Sequence, residues 1–233
     1  MHCLRCGNTE ERYFFKDAIG WYCRKCIMFG RMEPGKLPAP KKTERKVMHV
    51  DYQLKYPLTP AQRKCAMQIV EYVKHHQDVL VYAACGAGKT ELVMETIKQA
   101  LSLGKKVGFA SSRRQVVLEI KDRMQLAFPT LKVVAVCEGY TEITEGDLII
   151  CTMHQLYRYH QTFDLLIMDE VDAFPYRGNI VLKQIAEHAC TGEKVYLTAT
   201  PDEEMLENVR LGNLAMVELF QRPHGYPLIV PDV

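Results

Sequence analysis

No apolar run in this 233-residue chain approaches the ~18–20 residues of a membrane span. Its first residues, MHCLRCGN, lack the apolar stretch of a secretory leader, so no signal peptide is expected. There is no internal repeat and no low-complexity tract. Net charge is almost absent at +2, but it is unevenly spread. Residues 1–60 hold 12 Lys/Arg against 6 Asp/Glu, and the remainder holds 18 against 22. A basic front end on a near-neutral body fits an anionic partner such as nucleic acid, and equally a merely solvated surface. Nine cysteines, an odd number without a leader, argue against a disulfide scaffold and for a reducing cytoplasm.

What is present begins with four of those cysteines. Cys3-x-x-Cys6 and Cys23-x-x-Cys26 are separated by residues 7–22, which matches a zinc-binding pair of knuckles. Each CxxC turn aims two thiolates at one centre, and two turns complete a tetrahedron with no open position, as in structural zinc sites. An iron–sulfur cluster also takes four cysteines. Gly7 suits a tight knuckle, and Tyr13-Phe14-Phe15 with Trp21-Tyr22 suits a short hairpin. About 30 residues bury too little core to fold alone, so the metal is expected to fold them. Cys65, Cys85, Cys137, Cys151 and Cys190 lack paired spacing and are expected as small buried hydrophobes.

Residues 31–46, RMEPGKLPAPKKTERK, are proline-broken and basic. They read either as an arm along a phosphate backbone or as a plain linker, and they set a boundary between 1–46 and 47–233. VMHVDYQL (47–54) alternates loosely and is expected as a short strand. Thr59-Pro60 opens a helix whose Ala66, Ile69, Val70 and Val73 share one face. It ends near His75-His76, expected to be exposed and without a partner. Apolar segments at 79–85, 106–111, 131–137, 147–151, 163–168 and 194–199 alternate with helical stretches near 89–102, 113–127 and 178–190. The pattern predicts a doubly wound α/β fold with a mostly parallel sheet, and ligands at the carboxyl ends of its strands.

One such end reads Gly86-Ala87-Gly88-Lys89-Thr90 between a strand and a helix, the setting of a phosphate-binding loop. Ala83 stands where the common spacing has a first glycine. Lys89 is placed to pair with the β and γ phosphates and Thr90 to ligate Mg²⁺. Apolar FDLLIM runs into Asp169-Glu170-Val171-Asp172. Asp169 is placed to hold the same Mg²⁺, and Glu170 to polarise an attacking water.

AxxGxGKT (83–90), DEVD (169–172) and Thr198-Ala199-Thr200 together resemble motifs I, II and III of superfamily 2 helicases and translocases. Alanine is common at the Ala83 position in that superfamily. The resemblance implies a RecA-like domain and an ATP site comprising Gly86, Ala87, Gly88, Lys89, Thr90 and Glu91, with Thr198, Ala199 and Thr200 coupling hydrolysis to movement. Gln62, in LTPAQ (58–62), resembles the glutamine that reads adenine, and no guanine-reading NKxD occurs. The four-cysteine module, CGAGKTE (85–91), SSRRQVVLEI (111–120), DEVDAFPY (169–176), TATP (198–201) and RPHGYPLIVP (222–231) make the chain similar to the N-terminal part of the ComFA family, ATP-driven DNA-uptake proteins of competent bacteria. Primosomal DNA helicases share the motor motifs but carry their zinc cysteines later in the chain.

The resemblance further implies that Ser111, Ser112, Arg113 and Arg114 (motif Ia) and Thr152, His154 and Gln155 (motif Ib) hold single-stranded DNA. It implies ComFC-like and DprA-like partners, possible homo-oligomers, and a cytoplasmic place against the membrane uptake machinery. Only 33 residues follow Thr200. No second RecA-like domain fits there, and RPHGYPLIVPDV resembles the lead-in to one. The chain is therefore expected to be an N-terminal portion of a motor, or else a naturally short homologue, with weak ATPase activity by itself. Two functions compete: the motor half of a single-strand translocase, and a non-motor zinc-ribbon module in which ATP merely modulates nucleic-acid affinity.

Overall fold

A computed structural model describes residues 1–221; the RPHGYPLIVPDV segment lies outside them. The N-terminal hairpin pairs β1 (Phe14–Lys16) with β2 (Trp21–Cys23), antiparallel, as the sequence predicts. The body is a seven-stranded sheet. In chain order its strands are β3 (Val79–Ala83), β4 (Val107–Ser111), β5 (Val133–Val136), β6 (Leu148–Thr152), β7 (Phe163–Asp169), β8 (Cys190–Thr198) and β9 (Ala215–Leu219). In space they run β5-β6-β4-β7-β8-β3-β9, and every pairing is parallel. The helices are α1 (Pro60–Lys74), α2 (Lys89–Leu92), α3 (Met94–Ser102), α4 (Arg114–Ala127), α5 (Ile180–Ala189) and α6 (Glu203–Arg210). Among the described residues no helix is long and apolar enough to cross a membrane.

Helix α1 forms because its start is fully specified. The Thr59 hydroxyl accepts from Gln62 N, the Gln62 side chain accepts from Thr59 N, and Pro60 fills the first turn. Ala66, Ile69, Val70 and Val73 are buried, as their spacing requires. The strands are apolar on both faces because both faces are covered. Phe109, Ile150, Leu165 and Ile167 join a core under α1, α3 and α4, while their neighbours Ala110, Ile149, Leu166 and Met168 join a second one. This is the period-two alternation of a strand. The second core contains α5 and also Phe14, Phe29, Met32 and all four cysteines of the knuckles. The cysteine module thus covers part of a sheet face that α5 alone leaves open.

Several expectations fail for physical reasons. Residues 47–54 form no strand: Val50 and Tyr52 pack on the core, Tyr52 lying 5.4 Å from Phe128, and Gln53 N donates to Ala127 O. The segment lies across helices and has no strand beside it. The expected helix at 89–102 is divided at Val93 into α2 and α3. Strand β8 starts at Cys190, directly from α5, earlier than its apolar stretch suggests. Both α6 and β9 are unanticipated. Yet Asp202, whose carboxylate accepts from Met205 N, with Glu203 and Glu204 behind it, is a helix-start signature. His76 does have a partner, Glu193 Oε1 at 2.6 Å. The basic connector is pinned: Lys41 pairs with Glu145 (3.8 Å), Arg45 with Asp164 (3.1 Å) and Lys46 with Asp147 (3.4 Å), all near the amino ends of β6 and β7. Here it behaves as a strap across the sheet edge opposite the phosphate loop, not as a free arm.

Where β8 leaves α5 it lies flush on β7. A Cβ on Gly192 would stand 2.1 Å from Asp164 O, a backbone atom with no freedom to retreat. Gly192→Ala is expected to cost ~1–3 kcal/mol, read as a lowered urea midpoint with little change in slope. An unchanged midpoint would contradict this packing.

Candidate nucleotide site and cysteine centre

The candidate residues meet because the parallel register aligns strand ends. Ser111 of β4 is level with Asp169 of β7 on one side and Thr152 of β6 on the other. Asp169 is level with Leu197, and Tyr82 with Thr198. One carboxyl edge therefore carries the ends of β6, β4, β7, β8 and β3 in that order.

From β3 the chain lifts into the loop. Ala83 is fully buried and still within the strand, so its methyl packs in the core and its position needs no glycine. Positive φ is needed later, at Gly86 (78°) and at Gly88 (83°), which caps α2. Cys85 is exposed, contrary to its expected packing role, because the turn after Ala84 leaves the sheet; the other four unpaired-spacing cysteines are buried as expected. Lys89 Nζ lies 3.2 and 3.4 Å from the carbonyl oxygens of Ala83 and Ala84. Thr90 is buried at the start of α2. Gln62 is 4% exposed and locks the loop to α1: its Nε2 donates to Ala87 O at 2.8 Å while its oxygen completes the α1 cap. Each amide atom keeps one further hydrogen-bonding position. A cavity of about 650 Å³ beside it is lined by Tyr56, Gln62, Gly88, Glu91 and Arg123, a size that suits a nucleoside.

Burial pushes the Asp169 carboxyl up to about 6, against the pull of the Lys89 ammonium. A cation there competes with a proton near that pH. Glu170 adopts φ 55°, a left-handed conformation uncommon outside glycine, and its carbonyl accepts from Ser112 Oγ at 3.2 Å. Its Oε2 is buried without a hydrogen-bond partner, Arg113 Nε standing 3.8 Å away. Asp172 accepts from Thr200 Oγ1 at 2.5 Å, and Thr200 N donates to Thr198 Oγ1 at 3.0 Å. Although desolvation opposes it, these hydroxyls hold Asp172 below the usual carboxylate range. Ala199 lies between them, half-buried. The sequence pattern does not reveal this Asp172–Thr200 bond. The donor set fits a nucleotide with Mg²⁺: the Lys89 ammonium and Thr90 hydroxyl at the amino terminus of α2, and the Asp169 carboxylate at the end of β7, within reach of the Lys89 charge.

The candidate nucleic-acid residues divide. Ser111 is completely buried with an unpartnered hydroxyl, and Ser112 and Thr152 are nearly so. Arg113 and Arg114 are exposed; Arg114 Nε donates to Glu138 O and its guanidinium lies over Tyr140. Gln155 accepts from Arg158, and His154 stacks on Phe29, 6.1 Å between ring centroids at 26°. Burial lowers the proton affinity of His154.

The cysteine cluster has a geometry that fits zinc. Cys3 and Cys26 Sγ are 3.7 Å apart, and Cys6 and Cys23 Sγ 3.8 Å. A tetrahedron with ~2.3 Å zinc–sulfur arms has edges of about 3.8 Å. All four sulfurs lie within 4.8 Å of one another and are buried. Replacing Cys23 and Cys26 together by serine is expected to take bound zinc from about one per chain to none by metal analysis and to unfold the module. Absence of zinc from the intact chain would refute the assignment.

The family model described as "Type III restriction enzyme, res subunit" matches residues 55–203. The chain is 36% identical to Competence protein ComFA of Bacillus subtilis (strain 168) over 238 residues, covering 98% of this chain and 51% of that protein. It is 34% identical to Competence protein ComFA of Streptococcus pneumoniae (strain ATCC BAA-255 / R6), covering 99% and 54%. The chain thus spans about half the length of these relatives. Among solved structures, the Sulfolobus solfataricus SWI2/SNF2 ATPase core in complex with dsDNA superposes with a TM-score of 0.57 at 18% identity, over 70% of this chain and 36% of that one. The DEAD-box helicase Mss116 bound to ssRNA and UDP-BeF superposes with a TM-score of 0.52 at 16% identity, over 71% and 40%. At such identities the likeness speaks for the fold, which is RecA-like.

Proposed function

The chain belongs to the family of the type III restriction enzyme res subunit, and from that premise we propose that it is the motor portion of an ATP-dependent single-stranded DNA translocase driving DNA uptake in competent bacteria. The observation that carries this reading is the common strand edge: phosphate loop, Asp169-Glu170, Thr198–Thr200 and the Ser111–Arg114 segment all end β3, β7, β8 and β4 there. In this reading residues 1–46 are a zinc-ribbon-like module with its linker, and 47–233 are the first RecA-like domain. It works in the cytoplasm, at the membrane uptake machinery, with ComFC-like and DprA-like partners.

The roles follow from position. Gln62 uses its remaining amide valences to read adenine in the adjoining cavity, and Gly86 to Glu91 wrap the phosphates. Lys89 is drawn from the Ala83 and Ala84 carbonyls toward the β and γ phosphates. Thr90 and Asp169 would hold Mg²⁺, which would supply positive charge against the phosphates. Glu170, with one buried oxygen uncommitted, polarises the attacking water. Thr200, bonded to Asp172, reports the state of that strand end to the nucleic-acid side. Arg113 and Arg114 supply the exposed cations for a phosphate backbone. Removing a catalytic base costs ~10²–10⁴ in rate. Glu170→Gln is therefore expected to bind ATP normally and hydrolyse it that much more slowly; near-normal turnover would remove Glu170 from the role.

In phosphate-loop ATPases an arginine from a facing domain contributes ~10³–10⁵ in rate. The 233-residue polypeptide alone is expected to bind ATP–Mg²⁺ weakly, hydrolyse it slowly and not translocate. Vigorous DNA-stimulated turnover by it would contradict this. In the cell, Lys89→Ala is expected to bring DNA uptake to background while purified protein keeps single-strand binding that weakens with salt. Uptake that survives Lys89→Ala would favour a zinc-ribbon binding module over a motor.

A further inference from the structure

The cysteine module meets the motor at a defined joint. Arg5, 7% exposed, lies inside the module. Its Nη1 donates to Phe29 O at 2.8 Å, and its Nη2 donates to Cys26 O at 2.8 Å and to Gly30 O at 2.5 Å. Nη2 and Nε also stand 3.1 and 3.4 Å from Cys26 Sγ. One buried guanidinium thus ties the whole Cys26–Gly30 turn to the fourth cysteine. Gly30, at φ 87°, closes that turn, its N–H donating to Ile27 O.

Within the turn, Ile27 and Met28 point outward, 45% and 73% exposed, while Phe29 is 6% exposed. Its ring lies 6.1 Å from that of His154 and 5.6 Å from that of Tyr157. Both partners belong to one 3₁₀ turn, Met153–Arg158, which begins where β6 ends at Thr152. A short 3₁₀ turn has poor internal hydrogen bonding and needs outside support to hold one conformation. Helix α5 packs against this turn in the same apolar cluster as Phe29.

We propose that Phe29 is a positioning residue: through it the metal-held Cys26–Gly30 turn fixes the Met153–Arg158 turn beside the carboxyl edge of the sheet, and His154 serves as its stacking partner, not as a contact to nucleic acid. Metal in the cysteine centre then sets the geometry of one flank of the motor's strand edge. The part concerning nucleic acid rests on the function proposed above; the part concerning the turn does not.

The test uses the zinc-loaded full chain and three readouts: metal content, amide hydrogen exchange and affinity for a fluorescent oligothymidine. Phe29→Ala is expected to keep its zinc and to speed exchange across residues 153–158 by roughly tenfold, with β3 and the phosphate loop unchanged. Oligothymidine binding should weaken by roughly five- to tenfold, the scale of one lost aromatic joint. Where Phe29→Ala fails to fold, Phe29→Leu keeps apolar volume while removing the ring and carries the same expectation. His154→Phe preserves a stackable ring without the imidazole, and should match the native protein in exchange and in affinity. His154→Ala should behave as Phe29→Ala does. Unchanged exchange at 153–158 in the Phe29 variants overturns the positioning role. Lost oligothymidine affinity in His154→Phe with exchange intact overturns the assignment of His154. If the native chain does not bind oligothymidine, the proposed DNA function fails, while the exchange comparison still decides the role of Phe29.

Discussion

Parallel pairing in strict register is the constraint on which the site depends. A parallel sheet sends every strand's carboxyl end to the same side, and the crossover segments fall on its faces. Ser111, Thr152 and Asp169 stand level because β6, β4 and β7 are paired without a slip over those residues. A shift of one residue would exchange inward and outward side chains along the strand. It would also break the two apolar cores, since Ile149 and Ile150 feed opposite ones. The cores therefore enforce the register, and the register assembles the site. Apolar packing of residues far from any phosphate is what places Asp169 across from the loop that bears Lys89.

Polar contacts at that edge work against burial. Asp169 is costly to ionise where it sits, and Lys89 only partly offsets this. Asp172, less buried, is held ionised by the hydroxyls of Thr198, which ends β8, and of Thr200 just beyond it. Glu170 keeps an unsatisfied oxygen on a backbone in the left-handed region. Unmade hydrogen bonds and uncommon backbone of this sort collect where a ligand is to complete the set. The edge is incompletely satisfied as a protein surface and well suited as a receptor for phosphates and a cation.

Much of this was legible in local chemistry. The α1 cap, the CxxC knuckles, the apolar strands and the glycine-rich turn each announce themselves within about ten residues, because the forces that form them act at that range. Ala83 illustrates the limit of a motif read as letters: the first glycine of the loop is dispensable because the strand has not yet turned, whereas Gly86 and Gly88 carry the positive φ. What the sequence concealed was contact between distant segments. Gln62 holding Ala87, Thr200 bonding Asp172 and Lys46 pairing with Asp147 join residues 25, 28 and 101 positions apart. Cys85 was misread because burial at a turn depends on where the chain lifts from the sheet. Residues 47–54 were misread because a period-two pattern makes a strand only when a neighbour offers a ladder.

The cysteine module changes meaning in the same way. As sequence it is a detachable ribbon with a basic linker. In the structure, Lys41, Arg45 and Lys46 of the linker pair with acidic groups at the amino ends of the strands, and the module's apolar residues close a face that α5 cannot cover alone. Metal binding at a site whose residues complete a core is coupled to the folding of that core. Here the support runs from Cys26 through the Arg5-bound turn to the segment after β6, on the same edge as the phosphate loop. The cysteine cluster and the phosphate loop thus belong to one packed unit, joined through the strand edge that both adjoin.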